Sequence, residues 1–370
     1  MKKKLLLTIL LFGNWLFSQS FFSSRGLGEE ILSYDAYQSS LGKSYIFSYE
    51  NPSFPLKFNS TVTIGNITQQ VFFAQEKEDK RFLYHFQIDY VKISIPTFYQ
   101  TNLGLGLRRR FSQDFDIYSE TAGGYYWHII GKGGINSVSL SLGKRYKDFF
   151  SLGFSYQYLF GGSEEEWSFE TKEISLTQET IFGQYQGFSY QFSLLGRIGS
   201  LQLGSALEIF SPIKYLGYLS VPSETTEKKI NLPLIFNFGS AYNFSEYRSL
   251  LFGFNFKNWK KIKLDGEVDP NFTSGFLFSL GFSDYWQEKI PFRFGYSENF
   301  WYLLTKAGKR IGESSLNFGT SIKIPKFGFF DLNLETFYRR GDALKEFGIK
   351  ILFSPRYDET WKKRERRWGY

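Results

Sequence analysis

Large apolar and small polar side chains alternate without a break in the stretch FSLGFSYQY, residues 150–158. One parity carries Phe, Leu and Tyr, and the other carries Ser, Gly and Gln. A period of two puts each set on one face of a β-strand. The stretch therefore predicts a strand with one aromatic face and one small, polar face.

The same alternation returns at residues 188–194, 250–256, 276–283 and 330–335. Several of these runs reach about ten residues, which is enough to cross a bilayer at a tilt. A soluble sandwich or barrel would keep its large apolar residues inside and its charges outside. Here the small parity suits the concave interior of a closed wall, and the aromatic parity suits lipid. We predict an all-β protein, a transmembrane antiparallel up-and-down β-barrel in the outer membrane.

The composition agrees with a wall that faces lipid on one side only. Aromatic residues make up 21% of the chain, yet the mean hydropathy is only −0.28. After Phe21 the sequence contains no apolar run of the roughly 20 residues that a spanning helix needs, so a helical membrane protein is excluded. The chain has no cysteine, which excludes disulfides and thiolate metal sites.

The alternating region extends from residue 56 to residue 354. At roughly twenty residues for each strand with its connection, this length predicts about 14 strands, within a range of about 12 to 16, and an even number is expected. Short turns between some strands and longer polar stretches between others are typical of the two rims of an outer-membrane barrel.

Residues 1–20 have the pattern of a secretory signal peptide. Lys2, Lys3 and Lys4 precede an apolar run from Leu5 to Phe12, and small residues at Ser18-Gln19-Ser20 predict cleavage before Phe21. The apolar run is short for a spanning helix, so an uncleaved anchor is the less favoured alternative. We expect an exported protein.

The formal net charge of +8 is concentrated at the two ends of the chain. Three positive charges belong to the signal peptide, and residues 361–370 carry five basic residues against Glu365, which leaves +1 for the rest. No nucleic-acid-binding field is expected over the body. The basic tail, taken as residues 355–370, is expected in the periplasm, either bound to anionic head groups or a partner protein or else disordered.

The last predicted strand carries a short motif. Glu346, Gly348, Ile351 and Phe353 resemble the C-terminal β-signal of outer-membrane barrels. Such a signal implies recognition by the barrel assembly machinery, which is therefore an expected partner together with outer-membrane lipid. Phe347, Ile349, Ile351 and Phe353 share one parity and are predicted to face lipid.

One early segment breaks phase. In residues 82–95 the apolar parity is even through Tyr90 and odd from Val91. A β-bulge or kink near Tyr90 produces such a slip. A plain strand followed by a separate short strand is the alternative.

The segment before the first strand resembles the FadL-like family of outer-membrane barrels. The resemblance rests on Ser24-Arg-Gly-Leu-Gly28, Tyr34-Asp-Ala36 and Glu50-Asn-Pro52. It implies that residues 21–55 form a plug in the lumen, with Arg25, Gly26, Gly28, Asn51 and Pro52 as its motif. Family members transport long-chain fatty acids and other hydrophobic compounds, and an early kinked strand opens sideways. Glu29-Glu30 and Ser53-Phe54 depart from the family pattern, which bears on the substrate class more than on the fold.

Few residues are candidates for ligand binding. Parity places His85, Arg108 and Arg110 toward the lumen, where the arginines would bind a carboxylate head group or, as the favoured role, pair with acids such as Asp89. Arg109 is expected at the interface with lipid head groups. His128 is also expected to face inward. Neither histidine has metal-ligand spacing, and we predict no catalytic residues, no metal and no cofactor.

Two functions remain open at this stage. The first is passive transport of hydrophobic or amphipathic, fatty-acid-like small molecules by a monomeric barrel. The second is a docking or assembly component of a secretion or surface-protein system, without transport. An apolar pocket between the N-terminal segment and the wall would favour transport.

Overall fold

The computed structural model describes residues 20–360, apart from residues 25, 33, 55–59, 77–78, 121–124, 148, 171–174, 221–223, 287–289, 306, 326 and 343. Within these residues one antiparallel sheet closes on itself to form a barrel. None of the described helices has the length and apolar character needed to cross a membrane.

The wall consists of 14 strands, each paired with its neighbours along the chain. In order they are β1 (Ser60–Glu76), β2 (Asp79–Pro96), β3 (Thr101–Ser112 and Phe115–Glu120), β4 (Tyr126–Tyr146), β5 (Phe150–Glu170), β6 (Ser175–Ile198), β7 (Leu201–Phe210 and Ile213–Leu219), β8 (Glu224–Asn231 and Ile235–Asn243), β9 (Ser249–Lys257), β10 (Gly275–Trp286), β11 (Ile290–Leu304), β12 (Arg310–Ile324), β13 (Gly328–Arg340) and β14 (Leu344–Thr360). The predicted barrel and its strand number are confirmed.

The barrel closes where β1 pairs with β14, for example Gln69 with Ile351. The rim that holds the start of β1 and the end of β14 also carries the short turns between β4 and β5 and between β6 and β7. We call it the turn rim, and the opposite one the loop rim. Outer-membrane barrels place short turns in the periplasm.

The two faces of the wall follow the predicted parity. On β5 and β6, Phe154 and Phe192 are exposed to the outside, whereas Ser155 and Ser193 are buried toward the lumen. Side chains alternate in this way because each residue of a strand points opposite to the one before it. The aromatic face of the wall is therefore the outer face.

The final strand shows the same arrangement. Phe347, Ile349, Ile351 and Phe353 are exposed, as predicted, and Glu346 is buried on the lumen side. Strand β14 continues to Thr360, six residues beyond the end of the barrel expected from the sequence.

The predicted phase slip is a β-bulge on a continuous strand. Asn66 of β1 pairs with Tyr90 and Ile67 pairs with Ile88, so Asp89 is the extra residue of β2. Since β2 runs without a break from Asp79 to Pro96, the alternative of two separate strands is wrong.

Candidate functional site in the barrel lumen

The described residues between 20 and 54 lie in the lumen, and we call this segment the plug. The plug contains a 3-10 turn at Phe21–Ser24, a two-residue strand at Glu29–Glu30, the helix α1 (Ala36–Ser40) and a 3-10 turn at Tyr45–Phe47. Its start lies near the loop rim, where the Phe22 ring is 5.6 Å from that of Trp301. Its end lies near the turn rim, where Ser151 Oγ donates to Ser53 O at 2.6 Å.

Local hydrogen bonds shape the plug. The Asp35 carboxylate accepts from Gln38 N at 2.6 Å and caps α1, as an aspartate at this position commonly does. Asn51 Nδ2 donates to Ile46 O at 2.8 Å, while Asn51 Oδ1 accepts from Ser53 N at 3.1 Å. Asn51 and Pro52 of the motif therefore form the last turn of the plug before the wall begins.

A ring of glycines makes room for the plug. On eight wall strands a lumen-facing glycine is so close to the plug that an added Cβ would overlap plug atoms between residues 40 and 53. We call this set the glycine belt: Gly143, Gly153, Gly204, Gly239, Gly253, Gly281, Gly295 and Gly319. The small parity of the wall therefore leaves room for both backbone and side-chain atoms of the plug.

Buried ion pairs join the part of the plug near the loop rim to the wall. Arg339 of β13 is fully buried, and its guanidinium lies 2.7 Å from carboxylate oxygens of Glu29, Glu313 and Glu346. Three further charged side chains that are buried or nearly buried, Lys43, Glu335 and Lys350, pair with one another or with these carboxylates. We call all seven side chains the Arg339 cluster.

A second buried cluster contains the arginines predicted from sequence. Arg110 Nη1 is 2.7 Å from Glu208 Oε1, and Arg108 Nη1 is 3.6 Å from Glu50 Oε1 of the plug. Lys92 Nζ donates to the Glu50 carbonyl at 3.0 Å. The structure thus places Arg108 and Arg110 in the lumen, with structural acids as their partners.

Asp89 and Arg109 have other partners. Asp89, given as an example of an acid that could pair with Arg108 and Arg110, is aimed by the bulge at Thr68, whose hydroxyl donates to it at 2.5 Å. Arg109 does not lie among lipid head groups, because its Nη2 is 2.7 Å from Asp114 and also donates to Gly133 O at 2.6 Å.

The two histidines lie apart from each other. His85 is buried, and its Nε2 is 2.6 Å from Gln87 Oε1. His128 Nε2 is 2.8 Å from Asp116, and its ring stacks on that of the exposed Tyr118. In the described part of the chain no group of acids and histidines is arranged to hold a metal ion.

The glycines of the plug motif have a conformational role. Gly26 and Gly28 both have positive φ, at 62° and 91°, which L-residues with side chains rarely adopt. An added Cβ on Gly28 would overlap the backbone of Ser112. Arg25, the remaining motif residue near them, lies outside the described residues.

The wall is incomplete beside the bulge. Strands β2 and β3 are hydrogen-bonded from the turn rim as far as the pair Tyr90–Arg108. Between this pair and the loop rim, the described residues of β2 pair with β1 on one side and with no strand on the other. The plug strand Glu29–Glu30 takes the vacated place, pairing with Phe111 and Ser112 of β3. Gln113 and Asp114 then interrupt β3.

An apolar cavity opens beside this interruption at the loop rim. It has a volume of about 350 Å³, and we call it the rim pocket. Its lining combines plug, wall and loop residues: Gly26, Leu27, Gln113, Ser163, Glu165, Ile181, Tyr185, Tyr215, Lys228, Ile230, Ile262, Asp269, Asn271, Phe272, Leu303 and Leu304. Pockets for small molecules have this size and this mixture of apolar surface with a few polar groups.

Deeper in the lumen the cavities are small and charged. Three of them, of about 30, 20 and 10 Å³, all touch Glu30 of the plug, whose carboxylate is 2.5 Å from Lys257. Cavities of this size hold one or two water molecules. The rim pocket can therefore hold an apolar molecule. The three small cavities are too narrow for such a molecule to pass through them along the barrel axis while the plug is in place.

Comparison with known proteins identifies the family. Residues 1–228, more than half of the chain, match the family model described as BamG. The chain belongs to the BamG family. No curated protein matches the sequence of this BamG-family member.

Solved structures share the fold of this BamG-family chain at low identity. The toluene transporter TbuX of Ralstonia pickettii is 12% identical, with a TM-score of 0.60 over 88% of this chain and 98% of TbuX. The toluene transporter TodX of Pseudomonas putida is 12% identical, with a TM-score of 0.61 over 90% and 99%. A FadL homologue of Pseudomonas aeruginosa is 9% identical, with a TM-score of 0.58 over 90% and 99%. The FadL-like resemblance is confirmed at the level of the fold.

Sequence reasoning missed the Arg339 cluster and the rim pocket. No sequence pattern marked Arg339 as a candidate. Its partner Glu29 precedes it by 310 residues. Glu29 and Glu30 did carry a signal, because they replace the small residues of the FadL-like pattern, and both form buried or partly buried ion pairs in the lumen of this BamG-family barrel.

Proposed function

We propose that the protein resides in the outer membrane and passively moves hydrophobic or amphipathic small molecules across it. The rim pocket is the observation that carries the proposal. It lies between Leu27 of the plug and the wall, and most of its lining is apolar. Burial of an apolar ligand there gains about 25 cal/mol for each Å² removed from water.

The route proposed from the pocket depends on movement of the plug. Gln113 lines the rim pocket and also lies where β3 is interrupted, so the pocket adjoins the incomplete part of the wall. Bound ligand would leave the pocket when the plug strand Glu29–Glu30 separates from β3. Proteins of the same fold, TbuX and TodX, are described as toluene transporters, which supports a hydrophobic substrate class.

Uptake by liposomes tests the proposal. Liposomes with purified protein are expected to take up a labelled fatty acid or labelled toluene faster than empty liposomes. Ile181→Arg puts a charge into the rim pocket and is expected to reduce uptake at least tenfold. Thr180→Arg is the matched control, because the preceding residue of the same strand points to the opposite face. Equal rates with and without protein would rule out transport.

A second candidate function is association with the barrel assembly machinery as a docking subunit. Two observations favour it. The chain matches the BamG family model, and the plug fills the lumen and is held there by buried ion pairs with the wall. Depletion of this protein from cells would then lower the amount of other barrels in the outer membrane. Crosslinking of this protein in membranes would trap a component of the machinery.

The Ile181→Arg variant separates the two functions. In depleted cells it is expected to restore barrel assembly if docking is the function, since the outer surface is unchanged. If transport is the function, Ile181→Arg fails to restore uptake while Thr180→Arg restores it.

A further inference from the structure

Ser20, the residue before the expected cleavage point, is built into the wall–plug contact. It is fully buried, and its Oγ lies 2.8 Å from both carboxylate oxygens of Glu346. Arg339 Nη1 donates to the same Oγ at 2.6 Å. Within the plug, Phe22 N donates to Ser20 Oγ at 3.1 Å and Ser23 N donates to Ser20 O at 2.9 Å. A residue discarded with the signal peptide would take five hydrogen bonds of the folded plug with it.

Among the described residues, the charges around Ser20 do not balance. The Arg339 cluster contains three cations, on Lys43, Arg339 and Lys350, and four carboxylates, on Glu29, Glu313, Glu335 and Glu346. Seven side chains that are at most 12% exposed thus carry an excess of one negative charge. An unpaired buried charge is costly, so a further cation is expected nearby.

Signal cleavage produces such a cation. Hydrolysis adds water across one peptide bond, leaving a carboxylate on the signal peptide and an amino group on the mature chain, where it takes up a proton at neutral pH. The main-chain nitrogen of a serine is about 3–4 Å from its own Oγ, because only two carbons separate them. Because that Oγ is 2.8 Å from the Glu346 carboxylate, an ammonium at this end of the chain lies within about 7 Å of the carboxylate.

We propose that cleavage leaves Ser20 in the mature chain and that the new terminal ammonium is the fourth cation of the Arg339 cluster. The cut then falls before Ser20 and not before Phe21. In the precursor the same nitrogen is part of a neutral amide, so the cluster becomes neutral only after the signal peptide is removed. Removal of the signal peptide thereby stabilises the docked plug.

The position of the cut is tested on purified full-length protein by intact mass and by mass spectrometry of the N-terminal peptide. We expect a free amino group and a chain that begins at Ser20. A chain that begins at Phe21 or at any other residue, or a terminus whose amine is chemically blocked, would overturn the proposal.

The position of the ammonium is tested by amine labelling, read from the N-terminal peptide alone. In the folded protein the terminal amine is expected to react at least tenfold more slowly than after unfolding. Glu346→Gln removes the carboxylate that contacts Ser20 Oγ, with little change in side-chain size, and is expected to restore most of the reactivity. Glu298→Gln is the control, because Glu298 pairs with the exposed Arg340 outside the cluster. Equal protection in all three proteins would contradict the proposal, and neither result depends on whether the barrel transports anything.

Discussion

Arg339 Nη2 lies 2.7 Å from Glu29 Oε1, and this ion pair joins strand β13 of the wall to the short strand of the plug. The same guanidinium contacts Glu313 and Glu346, so one side chain holds three carboxylates away from solvent. Removal of one member of a buried ion network leaves its partners as uncompensated charges. The plug is thus fixed by electrostatics at the loop end and by close packing on the glycine belt below.

Arg339→Met is expected to lower the free energy of unfolding by about 3–5 kcal/mol, because three carboxylates lose their shared cation. Arg340→Met is the control. Its guanidinium is largely exposed and pairs with Glu298 at 3.0 Å, so the expected loss is below about 1 kcal/mol. Urea unfolding of both variants in bilayers, followed by tryptophan fluorescence, measures the difference. Similar losses would show that burial of the Arg339 cluster has no special effect.

Gly295→Ala is expected to displace the plug. The new Cβ would overlap Gly42 N and the neighbouring plug backbone, and such overpacking costs about 1–3 kcal/mol. Gly196→Ala is the matched substitution, because the nearest atoms to its Cβ would be 3.8 Å away. Limited proteolysis of the plug should be faster in the first variant and unchanged in the second. If both plugs are cut at the wild-type rate, the glycine belt does not seat the plug.

The plug is expected to dock less firmly as the pH rises. Burial raises the pKa of Asp35 to about 7, and the nearby Asp331 carboxylate adds to the rise, while the amides of Gln38 and Tyr49 and the Arg356 guanidinium oppose it. Because the folded state holds this proton more tightly than the unfolded chain, the stabilisation is complete below about pH 4 and is lost as the pH passes 7.

Asp35→Asn tests the predicted weakening of plug docking as the pH rises. Asparagine keeps the cap of α1 but carries no titrating proton. Hydrogen exchange of the plug amides, measured between pH 5 and pH 8, should show a pH-dependent loss of protection in the wild type and little in the variant, after correction for intrinsic exchange. A wild-type plug that becomes more protected at high pH would contradict the assignment.

Phe192→Arg tests the outer face of the wall. Phe192 is 52% exposed on β6, six residues before the strand ends at the turn rim, and an arginine facing lipid near the bilayer midplane costs about 2–4 kcal/mol. Tyr247→Arg, in the turn between β8 and β9, is expected to cost at most about 1 kcal/mol. Unfolding in bilayers and the gel shift on boiling provide the two readouts. Equal costs would place Phe192 outside the lipid contact.

The fold could be predicted from sequence because its cause is local. Alternation of Phe154 with Ser155 has the period of a strand. A one-residue slip at Tyr90 is what a β-bulge produces, and its extra residue proved to be Asp89. These signals lie within about ten residues of one another, so no knowledge of distant partners was needed.

The site could be predicted only in part, because its contacts join distant residues. Parity pointed Arg108 and Arg110 inward, but it could not predict the acids that meet them, because Glu50 and Glu208 come from the plug and from β7. The bulge turned Asp89 toward Thr68 instead. Arg109 was misassigned because Asp114, at the interruption of β3, draws it away from the lipid.

The glycine belt also constrains the order of folding. Plug atoms touch eight wall strands around the circumference, and Phe54 ends the plug only a few residues before β1 begins at Ser60. A sheet that had already closed would have no lateral opening wide enough to admit a segment that contacts so many strands. We expect the plug to act as a template that early strands wrap, with the β1–β14 seam formed last. Deleting residues 20–54 should then slow closure of that seam as well as empty the lumen.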